Sequence, residues 1–190
     1  MRLSTILYFM ISLLLLSAIG CTNAKEQKAN DIFDEALLLI DSGYYSQALE
    51  RLDLIINDKD YKDTELALNL TQGSPLIKGY TYKVFKNNIV PSHIARDEMP
   101  LIGRALETYA EDNLVYPTNQ QGLNALIIKP TLPPKPKDWL GPYIKRTNFK
   151  DPWGNPYQYK LILKYTDRYG YDLYSFGADG KNGGGDDIHR

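Results

Sequence analysis

The chain opens with an apolar run that ends at its only cysteine. Arg2 supplies one positive charge, the run extends from Leu3 to Ile19, and polar residues follow Cys21 at once. A short charged start, an apolar core and small residues before a cleavage point are typical of a secretory signal. We therefore predict a signal peptide over residues 1–20 and export of the rest of the chain. Because there is one cysteine, no intramolecular disulfide can stabilise the exported part.

The junction Ala18-Ile19-Gly20-Cys21 resembles a bacterial lipobox. The resemblance implies cleavage before Cys21, lipid on its thiol and attachment to a membrane. Thr22 stands where an aspartate would retain a lipoprotein at the inner membrane, which implies the periplasmic face of the outer membrane in a Gram-negative cell. Two alternatives remain open. The run of about 17 apolar residues approaches the length of a membrane-spanning helix, and an ordinary cleaved signal could carry the cysteine incidentally.

Residues 21–30 are polar and predict a tether, and residues 31–88 predict a helical spacer. Apolar residues recur at helical spacing from Ile32 to Ile40 and from Ala48 to Ile56, on either side of Gly43. The resulting hairpin resembles one tetratricopeptide repeat. A single such hairpin cannot bury its apolar faces alone. It is either a helical layer that packs on itself or on the following domain, or a peptide-binding surface.

A second domain is predicted over residues 92–190, after Pro91. An apolar stripe from Leu101 to Ala110 predicts a helix that ends near Asn113. Thr118 and Gln121 form a capping box before a short helix. A proline-rich loop follows, which we expect Trp139 to anchor on the core.

The rest of this domain carries turn and strand signals. The segment Asp151–Tyr157 combines two prolines with Gly154 and Asn155, as tight turns do. Alternation from Tyr157 to Lys164 predicts a strand, the segment Asp167–Gly170 a turn, and Tyr171–Phe176 a returning strand. The expected fold class is α+β, a helix packed on a small antiparallel sheet, preceded by the all-α spacer.

Six motifs of this domain, in the same order, resemble those of the major pseudopilin of type II secretion. They cover about half of the chain and are Ala105–Asn113, Tyr116–Leu123, Lys129–Pro134, Gly141–Lys145, Asp151–Tyr157 and Ser175–Gly180. The resemblance implies a pseudopilin-like head with a C-terminal calcium loop. It also implies protein partners in a secretion or pilus-like machine.

The last segment is rich in glycine and aspartate. Asp179, Asp186 and Asp187 flank four glycines, and converging carboxylates need a cation. Calcium prefers about six to eight oxygen ligands in flexible geometry. The resemblance adds the carbonyl of Phe176, and Ser175, as further candidate ligands. We therefore predict structural Ca²⁺ here; the alternative is a solvated glycine-rich tail.

Composition and motifs exclude two function classes. The net charge of −1 gives no basic field for nucleic acid. His93 and His189 are isolated, and neither a nucleophile elbow nor a phosphate-binding glycine loop is present, so we do not expect an enzyme.

The N-terminal part departs from the pseudopilin pattern. In that family a glycine–phenylalanine cleavage site precedes a long apolar helix with a glutamate near its start, and this helix builds the filament. The apolar run here has neither feature, and the spacer separates it from the head. We therefore expect an accessory, lipid-anchored secretion component that binds proteins, rather than a major filament subunit. The alternative is an envelope lipoprotein that uses the head fold for a role unrelated to secretion.

Overall fold

A computed structural model describes residues 24–76, 80–164 and 168–190. The chain divides into two compact units, one ending at Lys86 and the other starting at Asn87. The predicted signal peptide and Cys21 lie outside the described residues. Within the described ranges, none of the helices combines the length and the apolar character that crossing a bilayer requires.

The first unit, called the helical unit here, contains α1 (Ala24–Asp41), α2 (Tyr45–Asn57), α3 (Glu65–Thr71) and the single turn α4 (Tyr82–Val84). Helices α1 and α2 form the predicted hairpin. Small residues let them approach closely, because Ala29, Ala36 and Ala48 are fully buried between them, together with Leu52 and Ile55.

The predicted polar tether over residues 21–30 is wrong where the structure describes it. Helix α1 begins at Ala24, and Ala29 is buried. The carboxylate of Glu26 accepts hydrogen bonds from the backbone N–H groups of Glu65 and Leu66, at 3.1 and 3.2 Å. These N–H groups lie in the first turn of α3 and have no partner inside their own helix. This polar segment is therefore part of the packed helical unit, where Glu26 caps α3 and Ala29 is buried.

The second unit, called the head here, is organised around α5 (Val90–Asn113). A π-helical turn, Phe85–Ile89, precedes it. Pro91 follows this turn closely, as the second residue of α5, and does not mark the predicted boundary at residue 92. Pro100 lies inside the helix, which nevertheless ends at Asn113 as predicted.

The connection after α5 is held by the predicted capping box and by a tryptophan. The N–H of Thr118 donates to Gln121 Oε1 at 3.0 Å, and the N–H of Gln121 donates to Thr118 Oγ1 at 3.2 Å. The short helix that follows is a 3₁₀ helix, Leu123–Leu126. Trp139 Nε1 donates to the carbonyl of Ala125 at 2.9 Å, which confirms that Trp139 anchors the proline-rich loop.

The sheet has three antiparallel strands in the order β1 (Gln158–Lys164), β2 (Arg168–Ser175) and β3 (Ile188–His189). The turn predicted over residues 167–170 is displaced, because residues 168–170 already pair with β1. Strand β3 was not predicted, since two residues carry no alternation. It pairs Tyr174 with His189 and Ser175 with Ile188.

The core of the head lies between α5 and the sheet. Met99, Ile102, Leu106 and Tyr109 supply the helical side, and the opposite side includes Leu126, Leu173 and Ile188. These contacts confirm the predicted α+β class, with a helix packed on a small antiparallel sheet.

Candidate calcium loop and its supporting network

The acidic segment is a loop whose two ends are tied together. Strand β2 delivers the chain into it at Ser175, and β3 receives the chain at Ile188. These two residues are paired across the sheet. A twelve-residue insertion, 176–187, is thereby closed into a compact turn system instead of a free tail.

Glycine is required at two places where carboxylates approach the backbone. Gly177 has φ +69°, and a Cβ there would lie 2.3 Å from the carbonyl oxygen of Asp186. Gly184 has φ +85°, and its Cβ would lie 3.0 Å from Asp179 Oδ2 and 3.3 Å from Asp186 Oδ1. At both positions a side chain is disfavoured by the left-handed backbone conformation and also by the close contact of its Cβ. Asp179 and Asp186 are brought to the same side of the loop.

The three aspartates also satisfy backbone donors within the loop. Asp186 Oδ2 accepts from the N–H of Asp179 at 3.0 Å. Asp179 Oδ1 accepts from the N–H of Lys181 at 2.8 Å, and Asp187 Oδ2 accepts from the N–H of Gly183 at 2.9 Å. Each carboxylate uses one oxygen in this way, which leaves its second oxygen for another partner.

One of those second oxygens is buried. Asp187 Oδ1 is shielded from solvent and has no hydrogen-bond partner among the described residues. A buried carboxylate oxygen without a partner is costly, because desolvation is not offset by any contact. A hard cation is a suitable partner for such an atom. The loop therefore fits the predicted ion at this oxygen.

The predicted ligand set is brought together only in part. Within the described ranges there is no group of three or more His, Cys, Asp or Glu side chains that could hold a metal ion. Asp179 and Asp186 flank Gly184, whereas Asp187 reaches toward Gly183. A site in this conformation would need carbonyl oxygens as well as carboxylates. The carbonyl of Phe176 accepts no hydrogen bond within the described part of the chain, so this candidate is open.

Ser175 connects the base of the loop to the interior of the head. Its hydroxyl is fully buried, donates to Asp151 Oδ2 at 2.5 Å and accepts from the N–H of Gly177 at 3.0 Å. The donor of the hydroxyl and one of its two acceptor lone pairs are thus used by protein groups. Ser175 therefore supports the base of the loop.

Asp151 is the supporting residue that the sequence did not reveal. Its Oδ1 accepts from the N–H groups of Trp153 and Asn155, at 3.1 and 2.8 Å, while Oδ2 accepts from Ser175. The side chain of Asn155 then donates to the carbonyl of Gly177 at 3.2 Å. The first two bonds lie within the turn predicted over Asp151–Tyr157. The bonds to the loop join residues more than twenty positions apart and left no local signal.

The head is a small α+β unit with a closed acidic loop, and comparison with known proteins identifies its family. Residues 88–190 match the family described as type II secretion system (T2SS), protein G. The chain belongs to this family. The family is structural, which confirms the expectation that the chain is not an enzyme.

Three relatives illustrate the extent of the similarity. The chain is 49% identical to type II secretion system core protein G of Pseudomonas aeruginosa over 94 residues, which are 49% of this chain and 63% of that protein. It is 52% identical to core protein G of Vibrio cholerae over 81 residues, 42% of this chain and 52% of that protein. A crystal structure of the major pseudopilin from enterohaemorrhagic Escherichia coli shares 36% identity, with a TM-score of 0.45, over 53% of this chain and 85% of that chain. The chain thus spans a little under two thirds of the first of these relatives.

Proposed function

We propose that this protein is a lipid-anchored, calcium-binding accessory component of a type II secretion machine, which acts by binding other proteins. The observation that carries the proposal is the family match over residues 88–190, because it assigns the head to a class of secretion components. The apolar run that ends at Cys21 supports the anchor. The proposed location is the cell envelope, at the periplasmic face of the outer membrane in a Gram-negative cell.

The helical unit supports an accessory role rather than filament assembly. It occupies residues 24–86, where the hairpin α1–α2 and two shorter helices form a unit of their own. In this proposal it is a spacer that resembles one tetratricopeptide repeat, and it carries the head away from the lipid on Cys21. A role unrelated to secretion is the second candidate, and the same unit favours it, because its pattern lies outside the matched family region.

Mass spectrometry of the mature protein and crosslinking in membranes test this function together. We expect the mature chain to begin at a lipidated Cys21, and a Cys21→Ser variant to lose the lipid and the membrane association. In cells crosslinked before lysis, we expect the protein to recover components of the type II secretion machine. A lipidated protein that recovers none of them, in a strain whose secretion is unchanged when its gene is deleted, would favour the unrelated role.

Calcium is tested separately by thermal unfolding. Both tryptophans, Trp139 and Trp153, lie in the head, so their fluorescence follows this unit alone. A ligand at 100 times its Kd stabilises the folded state by about 2.7 kcal/mol. We expect millimolar Ca²⁺, compared with a chelator, to raise the melting temperature by several degrees, and Asp179→Ala and Asp187→Ala to lose this rise. An unchanged melting temperature in the wild type, or a full rise in both variants, would rule out calcium in this loop.

A further inference from the structure

A groove runs along one side of the head, between α5 and the segment 143–148, which we call the strap. Its volume is about 1040 Å³. Leu101, Arg104 and Thr108 line the helical wall, and Ile144, Lys145 and Thr147 line the strap wall. From Leu101 to Thr108 the helix advances about 10 Å, which three or four residues of an extended chain would cover.

The strap is held in place at both ends, so the groove is already formed. At one end the N–H of Tyr143 donates to the carbonyl of Leu126 at 2.8 Å. At the other end Arg146 forms an ion pair with Glu98 of α5 at 3.2 Å, and the Tyr157 hydroxyl donates to the same carboxylate at 2.8 Å. Because these contacts are made between groups of the head itself, a ligand would lose little free energy in ordering the walls.

The free charges in the groove are positive. Glu98, the one acidic residue in its lining, is already paired with Arg146. Arg104 and Lys145 form no ion pair within the described part of the chain, and both are exposed. Glu107, one turn along the helix from Arg104, is occupied by Arg190 at 2.8 Å. The groove therefore complements a negatively charged ligand.

The strap also presents unused backbone donors. Within the ranges that the structure describes, the N–H groups of Lys145, Thr147 and Asn148 donate to no protein acceptor, and these residues are exposed. Extended peptides bind proteins largely through main-chain hydrogen bonds, with side chains placed in adjacent pockets. Leu101, which is 49% exposed, supplies an apolar contact on the facing wall.

We propose that this groove binds an extended acidic segment of a protein partner, with carboxylates at Arg104 and Lys145, an apolar side chain at Leu101, and main-chain carbonyls at the strap. This inference deepens the proposed function and rests on it, since it names the chemistry of the partner that the secretion component recognises. Two free cations are too few to follow a nucleic-acid backbone, which carries a phosphate at every nucleotide. A peptide needs charges at only a few positions.

The test uses the purified full-length protein and a fluorescent peptide of about eight residues in which aspartate and leucine alternate. We expect binding that weakens as the salt concentration rises from about 50 to 500 mM, because exposed charges are screened. The double variant Arg104→Glu/Lys145→Glu should bind at least about tenfold more weakly, and Leu101→Ser several-fold more weakly. The matched controls are Lys129→Glu/Lys135→Glu, with the same change of charge, and Leu132→Ser, since Leu132 is also 49% exposed. Both controls should bind as the wild type does.

Several outcomes would overturn the proposal. Equal losses in the groove variant and its charge control would mean non-specific attraction. Equal binding of a lysine–leucine peptide would show that the groove does not select negative charge. Tighter binding of a single-stranded oligonucleotide would show that its ligand is a nucleic acid and not a peptide. Amide NMR shifts outside the strap and the facing turn of α5 would place the peptide elsewhere. Recovery of secretion components after crosslinking is independent of this assay, so a failed groove leaves the proposed function standing.

Discussion

The helical unit and the head bury different kinds of residue. Among the described residues, alanines are four of the nine buried apolar residues of the helical unit, the others being Leu52, Ile55, Leu70, Leu76 and Phe85. In the head they are three of fourteen, and the large buried residues include Met99, Leu106, Tyr109 and Leu173. Buried apolar area stabilises a fold at about 25 cal/mol per Å², so large side chains contribute more per residue than alanines do. The head thus draws more of its stability from a few large residues.

The polar contacts of the two units also differ in burial. In the helical unit the ion pair between Arg51 and Glu35 at 3.0 Å lies at the surface. In the head, Asp151 and Ser175 form a hydrogen bond in the interior. Surface ion pairs contribute little, whereas a buried charge becomes costly when its partner is removed. Individual residues should therefore be replaceable in the helical unit and hard to replace in the head.

The strongest test of this contrast is Asp151→Ala. The change would leave the Ser175 hydroxyl and the N–H groups of Trp153 and Asn155 without their acceptor. The Ser175 hydroxyl is a buried donor, which costs about 1–3 kcal/mol when left unpaired, and the two N–H groups are partly buried and add smaller costs. We expect the free energy of unfolding of the head to fall by about 2–4 kcal/mol, measured by urea titration with tryptophan fluorescence.

Asp138→Ala is the control for that variant, because Asp138 is exposed and its side chain has no ion pair within the described residues. We expect it to change the free energy of unfolding by less than about 0.5 kcal/mol. If Asp151→Ala behaved like the control, the interior polar network would contribute nothing, and the contrast between the two units would fail.

The next test concerns Tyr157, which lies in the interior of the head. Burial, followed by its hydrogen bond to Glu98, raises the pKa of the Tyr157 phenol well above its usual value. The contribution of the protonated phenol is therefore complete below the unfolded pKa of about 10, and it is lost as the pH rises above that value toward the folded pKa. Tyr157→Phe removes a hydrogen bond to a charged group, which costs about 2 kcal/mol at neutral pH.

We expect the wild-type head to lose stability steeply above about pH 10, and Tyr157→Phe to lose it with a shallower slope. Part of the slope should remain, because burial also raises the pKa of Tyr159. Tyr44→Phe is the matched control in the helical unit, since Tyr44 is 57% exposed. Identical alkaline slopes in the wild type and in Tyr157→Phe would show that this phenol is not held protonated by the fold.

Sequence patterns predicted those parts of the head that are formed by residues close together in the chain. The capping box of Thr118 and Gln121, the end of α5 at Asn113 and the strands on either side of residues 165–167 all follow from neighbouring residues. Strand β3 could not be predicted, because its two residues become a strand only by pairing with the end of β2. The role of Asp151 was missed for the same reason, since Ser175 reaches it through the fold.

The candidate calcium loop shows a second limit of prediction from sequence. Composition singled out Asp179, Asp186 and Asp187 as candidate ligands, because carboxylates that converge around glycine-rich backbone would need a cation. It could not say which oxygens would be used by backbone N–H groups, and only the fold shows that Asp187 Oδ1 is the one left buried without a partner. The tether prediction failed for the same reason, because Glu26 bonds to a helix about forty positions further along the chain and the local sequence gives no sign of that contact.

The smallest expected effect is in the helical unit, at Glu26. Glu26→Ala removes the acceptor for the N–H groups of Glu65 and Leu66, and the loss of a helix cap costs about 1 kcal/mol. Thr64 still accepts from the N–H of Ala67 at 3.2 Å, so α3 should remain folded. Because amide exchange reports local opening, we expect faster exchange at Glu65 and Leu66 and no change in the fluorescence-detected unfolding of the head.

Glu26→Gln keeps part of the cap. The amide of glutamine retains one acceptor oxygen of the two that the N–H groups of Glu65 and Leu66 use, and the negative charge that favours a helix N-terminus is lost. We expect its exchange rates to fall between those of the wild type and Glu26→Ala, while Glu50→Ala, on the exposed side of α2, changes neither amide. If Glu26→Ala instead lowered the stability of the head as much as Asp151→Ala does, single residues of the helical unit would be as hard to replace as those of the head. The two units would then unfold as one cooperative structure, and the difference in their interiors would have no energetic consequence.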